Sequence, residues 1–335
     1  MSLYRAETRR LLKRRFTKLF VAGALVVLAA IAAGTFLSNQ KIGPGEIAAA
    51  QAQARANYER AAADMAAEKQ RCEAAQGTPE ASNWPPGCEF AGPSESDFKP
   101  EWFMRPTFEF REEFPAMMIA FAALLALLAY VVGASFVGAE WHSGGMMNLL
   151  LWRPQRIQVL ATKLAAFLVW LTGLTVVLAA LWTAGFLLIA ELRGSSAGMT
   201  PGAWRSIGLL ELRALALVVV AGAAGFGLAS IGRHTATALG AAIGLLVVLQ
   251  FGLRAVLGLA DVKFADAYLV PVWILAWMTK SYQVQDFTSC DFSPTGGCEP
   301  DSFTITWPMA GAVLAAVLVI IVGATLWTIR SRDIT

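Results

Sequence analysis

Histidine and cysteine are scarce: the chain has two of the first and four of the second in 335 residues. With only His142 and His234, no H-E-x-x-H, and cysteines spaced unlike a zinc site, there are few parts for a metal centre or a catalytic constellation. No catalytic residue, metal or cofactor is expected in this chain. Charge is sparse too, at 15%, and the formal net charge of +3 is too small to mark a nucleic-acid binder. No acidic residue lies near the middle of any long apolar run, which argues against a carrier driven by protons or sodium through a buried carboxylate. Residues 227–232, "GLASIG", match the two glycines of a phosphate-binding loop. Arg233 and His234 follow where Lys and Ser or Thr should stand, and the stretch closes an apolar run instead of following a strand. Its glycines, with Gly222 and Gly225, are read as helix-packing positions, as are Gly240 and Gly244 in the next run.

What the chain has in excess is hydrophobic residues, 56% of the total, against roughly 45–50% in ordinary soluble domains. Six apolar runs reach spanning length: residues 19–37, 115–137, 164–190, 207–231, 236–260 and 305–329. The first is longer than the ~7–15 apolar residues of a signal peptide and is read as a retained helix. An all-α integral membrane fold of six transmembrane helices follows. No inverted repeat is apparent.

Cations choose the orientation. Residues 1–18 carry Arg5, Arg9, Arg10, Lys13, Arg14, Arg15 and Lys18, whereas residues 38–114 carry eight cations against thirteen acids. The N-terminus is expected to be cytoplasmic. Arg153, Arg156 and Lys163, then Arg233, then the tail 330–335 with Arg330 and Arg332, fall on the same side. A multi-pass plasma-membrane protein with both termini inside is expected. Cys72, Cys88, Cys290 and Cys298 all fall outside, where disulfides persist. Three pairings are possible; Cys72 with Cys88 and Cys290 with Cys298 close the shortest loops, and unpaired thiols buried as small hydrophobes are the alternative.

The segments between runs have their own character. Residues 1–18 put Tyr4, Leu11, Leu12 and Phe16 on one helical face with Leu19, and most cations on the other, as in an interfacial amphipathic helix; a disordered basic anchor is the alternative. Residues 38–114 open with Gly43-Pro44-Gly45 and an Ala-, Glu- and Gln-rich helix, then turn irregular and cystine-stapled from 77 to 106. Within 261–304, "AYLVPVWILAWM" is too short to cross and is read as a re-entrant or outer-interface helix, or as a buried piece of the outer lobe. Glu211, Arg213 and Arg254 share a depth near the outer ends of the fourth and fifth runs. Glu211 could pair with Arg254 as part of a polar gate, or as a structural pair.

The inner segment 138–163 contains "EWHSGGMMNLLLWRPQRIQVLATK". A solvated connector would not present so many large apolar side chains, so something covers them. Gly144 and Gly145 permit a sharp reversal, and Pro154 starts a fresh helix carrying Arg156 and Lys163 into the third run. A short helix lying crosswise between two spans is implied.

This stretch, with its leading Glu, the Gly-rich turn and a last run ending in "RSRDI", resembles the permease subunit of type-2 ABC exporters. The likeness covers the six-run layout, the basic amphipathic start, similar to that family's connecting helix, and the short element before the last run. It is strongest over 138–163. The outer cystine-bearing segment is longer than in many members. The resemblance implies that the crosswise segment is a coupling helix held in a groove of a separate ATP-binding subunit. Glu140 and His142 would then face the ATPase, and Met146, Met147, Leu149, Leu150 and Trp152 would dock it. Arg153 and Arg156 would meet its acidic surface or membrane lipid phosphates. Glu140 as a purely topological charge and the leucine block as an interfacial anchor are the plainer readings. The likeness further implies an ATP-driven exporter of a lipid-, peptide- or drug-like cargo, working as two copies, with ATP and Mg bound by the partner. A membrane sensor or scaffold whose outer cystine lobe binds a ligand or envelope partner is the other reading.

Overall fold

The computed structural model describes residues 3–152, 155–292 and 298–331. Helix α1 (Leu3–Lys13) breaks at Arg14 before α2 (Arg15–Ser38). Helix α3 (Pro44–Ala75) opens on Pro44, whose missing N–H falls where the first helical turn has no partner for it. Strand β1 (Phe108–Glu109) leads into α4 (Phe110–His142), α5 (Gly145–Trp152), α6 (Arg156–Arg193), β2 (Gly194–Ser195) and α7 (Pro201–Ile231). Then come α8 (Thr235–Leu259), α9 (Val270–Thr279), β3 (Ser281–Phe292), β4 (Cys298–Thr306) and α10 (Trp307–Ser331). Helices α2, α4, α6, α7, α8 and α10 are each long and apolar enough to cross a membrane, so the protein is mostly helical with six candidate spans. The third of these begins at Arg156, not at 164, so Lys163 lies inside a helix and not in a connector.

The segment before the last span departs from an all-α reading. The short apolar helix is present as α9, but β3 and β4 follow it as an antiparallel hairpin, paired from Ser281 with Thr306 to Asp286 with Asp301 and irregular between Asp286 and Cys290. Alternation drives it: Val284 and Ile305 point inward, between polar neighbours, onto Leu269, Val272, Ala276 and Ala310. Each such apolar side chain taken from water is worth about 1.5–3 kcal/mol, enough to favour a strand pair over a solvated loop.

Two compact units are distinguished. The first comprises Met1–Ile31, Arg111–Gly185 and Gly198–Thr335. Its helices approach closely where glycine removes the side chain: a Cβ on Gly225 would lie 2.1 Å from the Tyr130 carbonyl oxygen, and one on Gly133 2.5 Å from that of Gly222. Phe167 of α6 fills the adjoining space, its ring centroid 6.1 Å from Phe136 and 6.4 Å from Phe226. Gly227 meets α10, where a Cβ would come 2.5 Å from Ile321 Cγ2 and where Thr325 donates to the Gly227 carbonyl at 3.3 Å. The packing role expected of Gly222, Gly225 and Gly227 is thus seen. That of Gly240 and Gly244 is not, because a Cβ at either meets nothing within 4 Å. They lie on α8, whose apolar stretch is unburied in the single chain.

The second unit comprises Ala32–Phe110 and Phe186–Ala197. Cys72, near the end of α3, is disulfide-bonded to Cys88, and short 3-10 turns carry the irregular segment that follows α3. Phe98 packs edge-on against Tyr58 of α3. Strands β1 and β2 pair in parallel, Phe108 with Gly194, and only a glycine fits there, since a Cβ would lie 2.0 Å from the Phe108 oxygen. Cys290 and Cys298 fall on β3 and β4 of the first unit, but their side chains lie outside the described residues.

Candidate functional site

Helix α1 is amphipathic in an unexpected way. Of the apolar face drawn from sequence, Leu11 is buried while Tyr4, Leu12, Phe16 and Leu19 are exposed. One turn before Leu11, on the same face, stands an acid, Glu7, which is also buried, at 1% exposure. Its Oε2 lies 2.5 Å from Nζ of Lys163 in α6. The same ammonium lies 2.7 Å from Oε2 of Glu140, near the end of α4. A second cation closes the cluster: Arg14, at the break between α1 and α2, donates through Nη1 to the α4 carbonyls of Ser135 at 3.0 Å and Phe136 at 3.1 Å. The Phe136 ring lies 4.6 Å from the Lys163 ammonium and 5.7 Å from the Arg14 guanidinium.

Lys163 is fully buried, so its charge depends on these partners. Two carboxylates around one ammonium leave a net negative charge, and Arg14 balances it. Burial pulls the Arg14 guanidinium below its ordinary value, Glu140 and Glu7 push it back up, and Arg10 lowers it again. Arginine stays protonated throughout the physiological range. Arg10 also touches Glu7, at 3.4 Å, but its exposure makes that contact weak. Removing one partner of a buried pair costs about 3–5 kcal/mol, while the intact pair adds little over an apolar packing. The cluster therefore dictates position: it holds the end of α4, the start of α6 and α1 in one register.

Helix α5 sits inside this clasp in sequence, because Glu140 precedes it and Lys163 follows it. Gly144 supplies the reversal between α4 and α5 with φ of +71°, a conformation that favours glycine. Within α5, Met146 is buried at 1% exposure, whereas Met147 is 38% exposed. Met146 thus packs within its own chain, and Met147 is the exposed methionine of α5. Asn148 is exposed and Leu149 half-buried. The side chains of Leu150 and Trp152, and all of Arg153, lie outside the described residues. Arg156 and Arg330 line one open concavity beside the start of α6.

His142 is exposed and packs edge-to-face on His234, ring centroids 4.6 Å apart, so the only two histidines of the chain meet. His234 caps α8, its Nδ1 accepting from the Ala236 amide at 3.0 Å. Arg233 lies over the Trp141 ring at 5.2 Å. Glu140, His142 and α5 are thus assembled at one corner of the first unit. Glu211 and Arg254 are not brought together. Glu211 accepts from Thr183 of α6 at 2.6 Å, and Arg254 pairs with Asp266 at 3.4 Å, because α7 turns Glu211 toward α6 and Arg254 follows a π-helical stretch, Val248–Leu253, in α8.

A model of the ABC-2 family transporter protein family matches residues 1–330. The chain belongs to the ABC-2 transporter family. No curated protein matches it. An ABC-2 permease is a multi-pass transport subunit, not itself catalytic, and the family implies partnership with an ABC ATPase. In this permease the residues that sequence reasoning passed over are Glu7, never singled out, and Lys163, read only as a topological cation. A signal existed: Glu7 is the one acid in residues 1–18, and Glu140 the one acid in 138–163. A lone acid in a basic segment that could do without it is a candidate partner for a buried cation.

Proposed function

We propose that this permease is the membrane subunit of an ATP-driven exporter in which α5 is the coupling helix. The Glu7–Lys163–Glu140 clasp then passes its movement into α4, α6 and α1. The observation that carries the reading is the clasp itself: an element that must take a push from a partner is bracketed by a buried, geometrically demanding ion cluster joined to two spanning helices. A push on α5 would then move α4, α6 and α1 as one body instead of being absorbed in a loose connector. The exposed Met147 offers the partner an apolar contact, and Arg156 and Arg330 offer cations to its acidic surface. ATP and Mg bind to that partner, two permease copies form the outward path, and the cargo is lipid-, peptide- or drug-like. The cationic start of the chain supports a cytoplasmic N-terminus.

The test is co-purification of the full-length permease with its ATPase subunit. Met147→Asp is expected to reduce ATPase recovery and ATP-dependent transport while the permease's own thermal unfolding stays unchanged. Wild-type recovery and wild-type transport in that variant would overturn the coupling role.

A further inference from the structure

The first unit contains a second charged cavity, far in sequence from the clasp, of about 250 Å³. Arg213 of α7, Lys280 just past α9, Ser206 and Thr279 give it a polar side, and Ile119 and Met278 are among its apolar walls. Neither Arg213 nor Lys280 forms an ion pair among the described residues. The nearest acid along α7, Glu211, is turned away to Thr183. Both cations line the same partly enclosed cavity, so an anion within it is attracted by both.

Both cations are held in place. Arg213 lies 5.2 Å from the Trp307 ring, and its carbonyl accepts from Trp277 Nε1 at 2.9 Å. Lys280 donates to Ser206 Oγ at 3.2 Å. Lys280 also has φ of +74° and ψ of −34°, a conformation that glycine adopts freely and a lysine only under strain. A bulky cation kept where glycine would relax the backbone indicates that the side chain is wanted.

We infer that this cavity binds a phosphate group, carried on a molecule whose apolar part lies along the Ile119 and Met278 walls. Arginine's planar fork and lysine's point charge can engage different oxygens of one phosphate, and the Ser206 hydroxyl, whose oxygen accepts from Lys280, can donate to a third, while the Thr279 hydroxyl is held by the Leu275 and Ser281 carbonyls. The site goes beyond the export reading: it is a matter of binding, whichever way cargo moves.

The test is thermal unfolding of the purified full-length protein titrated with dihexanoylphosphatidic acid, with inorganic phosphate, and with zwitterionic dihexanoylphosphatidylcholine. Wild type should be stabilised saturably by the phosphatidic acid and not by the phosphatidylcholine. A matching shift with inorganic phosphate identifies the phosphate alone as sufficient; a shift with phosphatidic acid only identifies the anionic amphiphile. Lys280→Gly and Arg213→Gln should each weaken the apparent affinity about ten-fold. Lys280→Gly should do so with a ligand-free midpoint equal to or above wild type, because it relieves strain; this keeps the test decisive if Arg213→Gln folds poorly. Equal stabilisation by phosphatidylcholine, no saturable shift from either phosphate probe, or wild-type affinity in Lys280→Gly would overturn the inference.

Discussion

The Lys163 ammonium donates to Glu7 at 2.5 Å, across 156 positions of sequence, with both side chains almost completely withdrawn from solvent. The start of the chain is thereby tied to the helix that follows α5.

Lys163→Met should destabilise the protein by about 3–5 kcal/mol, because it leaves Glu7 and Glu140 buried without their cation. Adding Glu7→Gln and Glu140→Gln to it should recover most of that loss. Thermal unfolding of the single and triple variants in one detergent checks this; a single variant as stable as wild type would mean that the cluster is not buried in the folded protein.

Glu7→Gln separates coupling from assembly. The amide keeps the shape of the side chain but weakens the hold of α1 on α6, so ATPase recovery should stay near wild type while transport per ATP hydrolysed falls about 2- to 30-fold. Parallel loss of recovery and transport would instead place Glu7 in the docking surface.

Gly225→Ala should cost about 1–3 kcal/mol, since its Cβ would lie 2.1 Å from the Tyr130 carbonyl and force α4 and α7 apart. Gly240→Ala, where a Cβ meets nothing, should be neutral or slightly stabilising. Comparing the two midpoints tests whether the close approach of α4 and α7 exists.

Reduction of the Cys72–Cys88 disulfide, or Cys72→Ser with Cys88→Ser, should expose residues 76–88 to limited proteolysis and lower the stability of the second unit by about 3 kcal/mol, as expected for a closed loop of this size. Proteolysis that is the same with and without reductant would show that the bond does not hold this segment.

Much of the architecture was legible because it rests on local properties. A run of some twenty apolar residues favours a membrane helix wherever its neighbours go, and four of the six runs lie wholly within long helices; the fifth passes the end of α8 by Ala260, and the sixth begins with Ile305 and Thr306, which belong to β4. Gly144 advertised a reversal through its backbone freedom, and the Ala-, Glu- and Gln-rich composition after Gly45 advertised a helix. The β3–β4 hairpin was missed although Tyr282, Val284, Phe303 and Ile305 alternate with polar residues, since the apolar helix beside it carried the stronger signal.

The order of the 335 amino acids by itself determined which segments are apolar enough to span, where the charged segments lie between them, and that a short greasy segment separates the second and third spans. Only the tertiary structure decided that Glu7, Glu140 and Lys163 share one buried site, that Met146 faces inward, and that Glu211 and Arg254 take different partners. The reason is that spanning depends on composition, which is additive along the chain. Contact between distant side chains depends on the rotation and register of each helix against its neighbours, and a turn of 100° per residue moves a side chain from one partner to another.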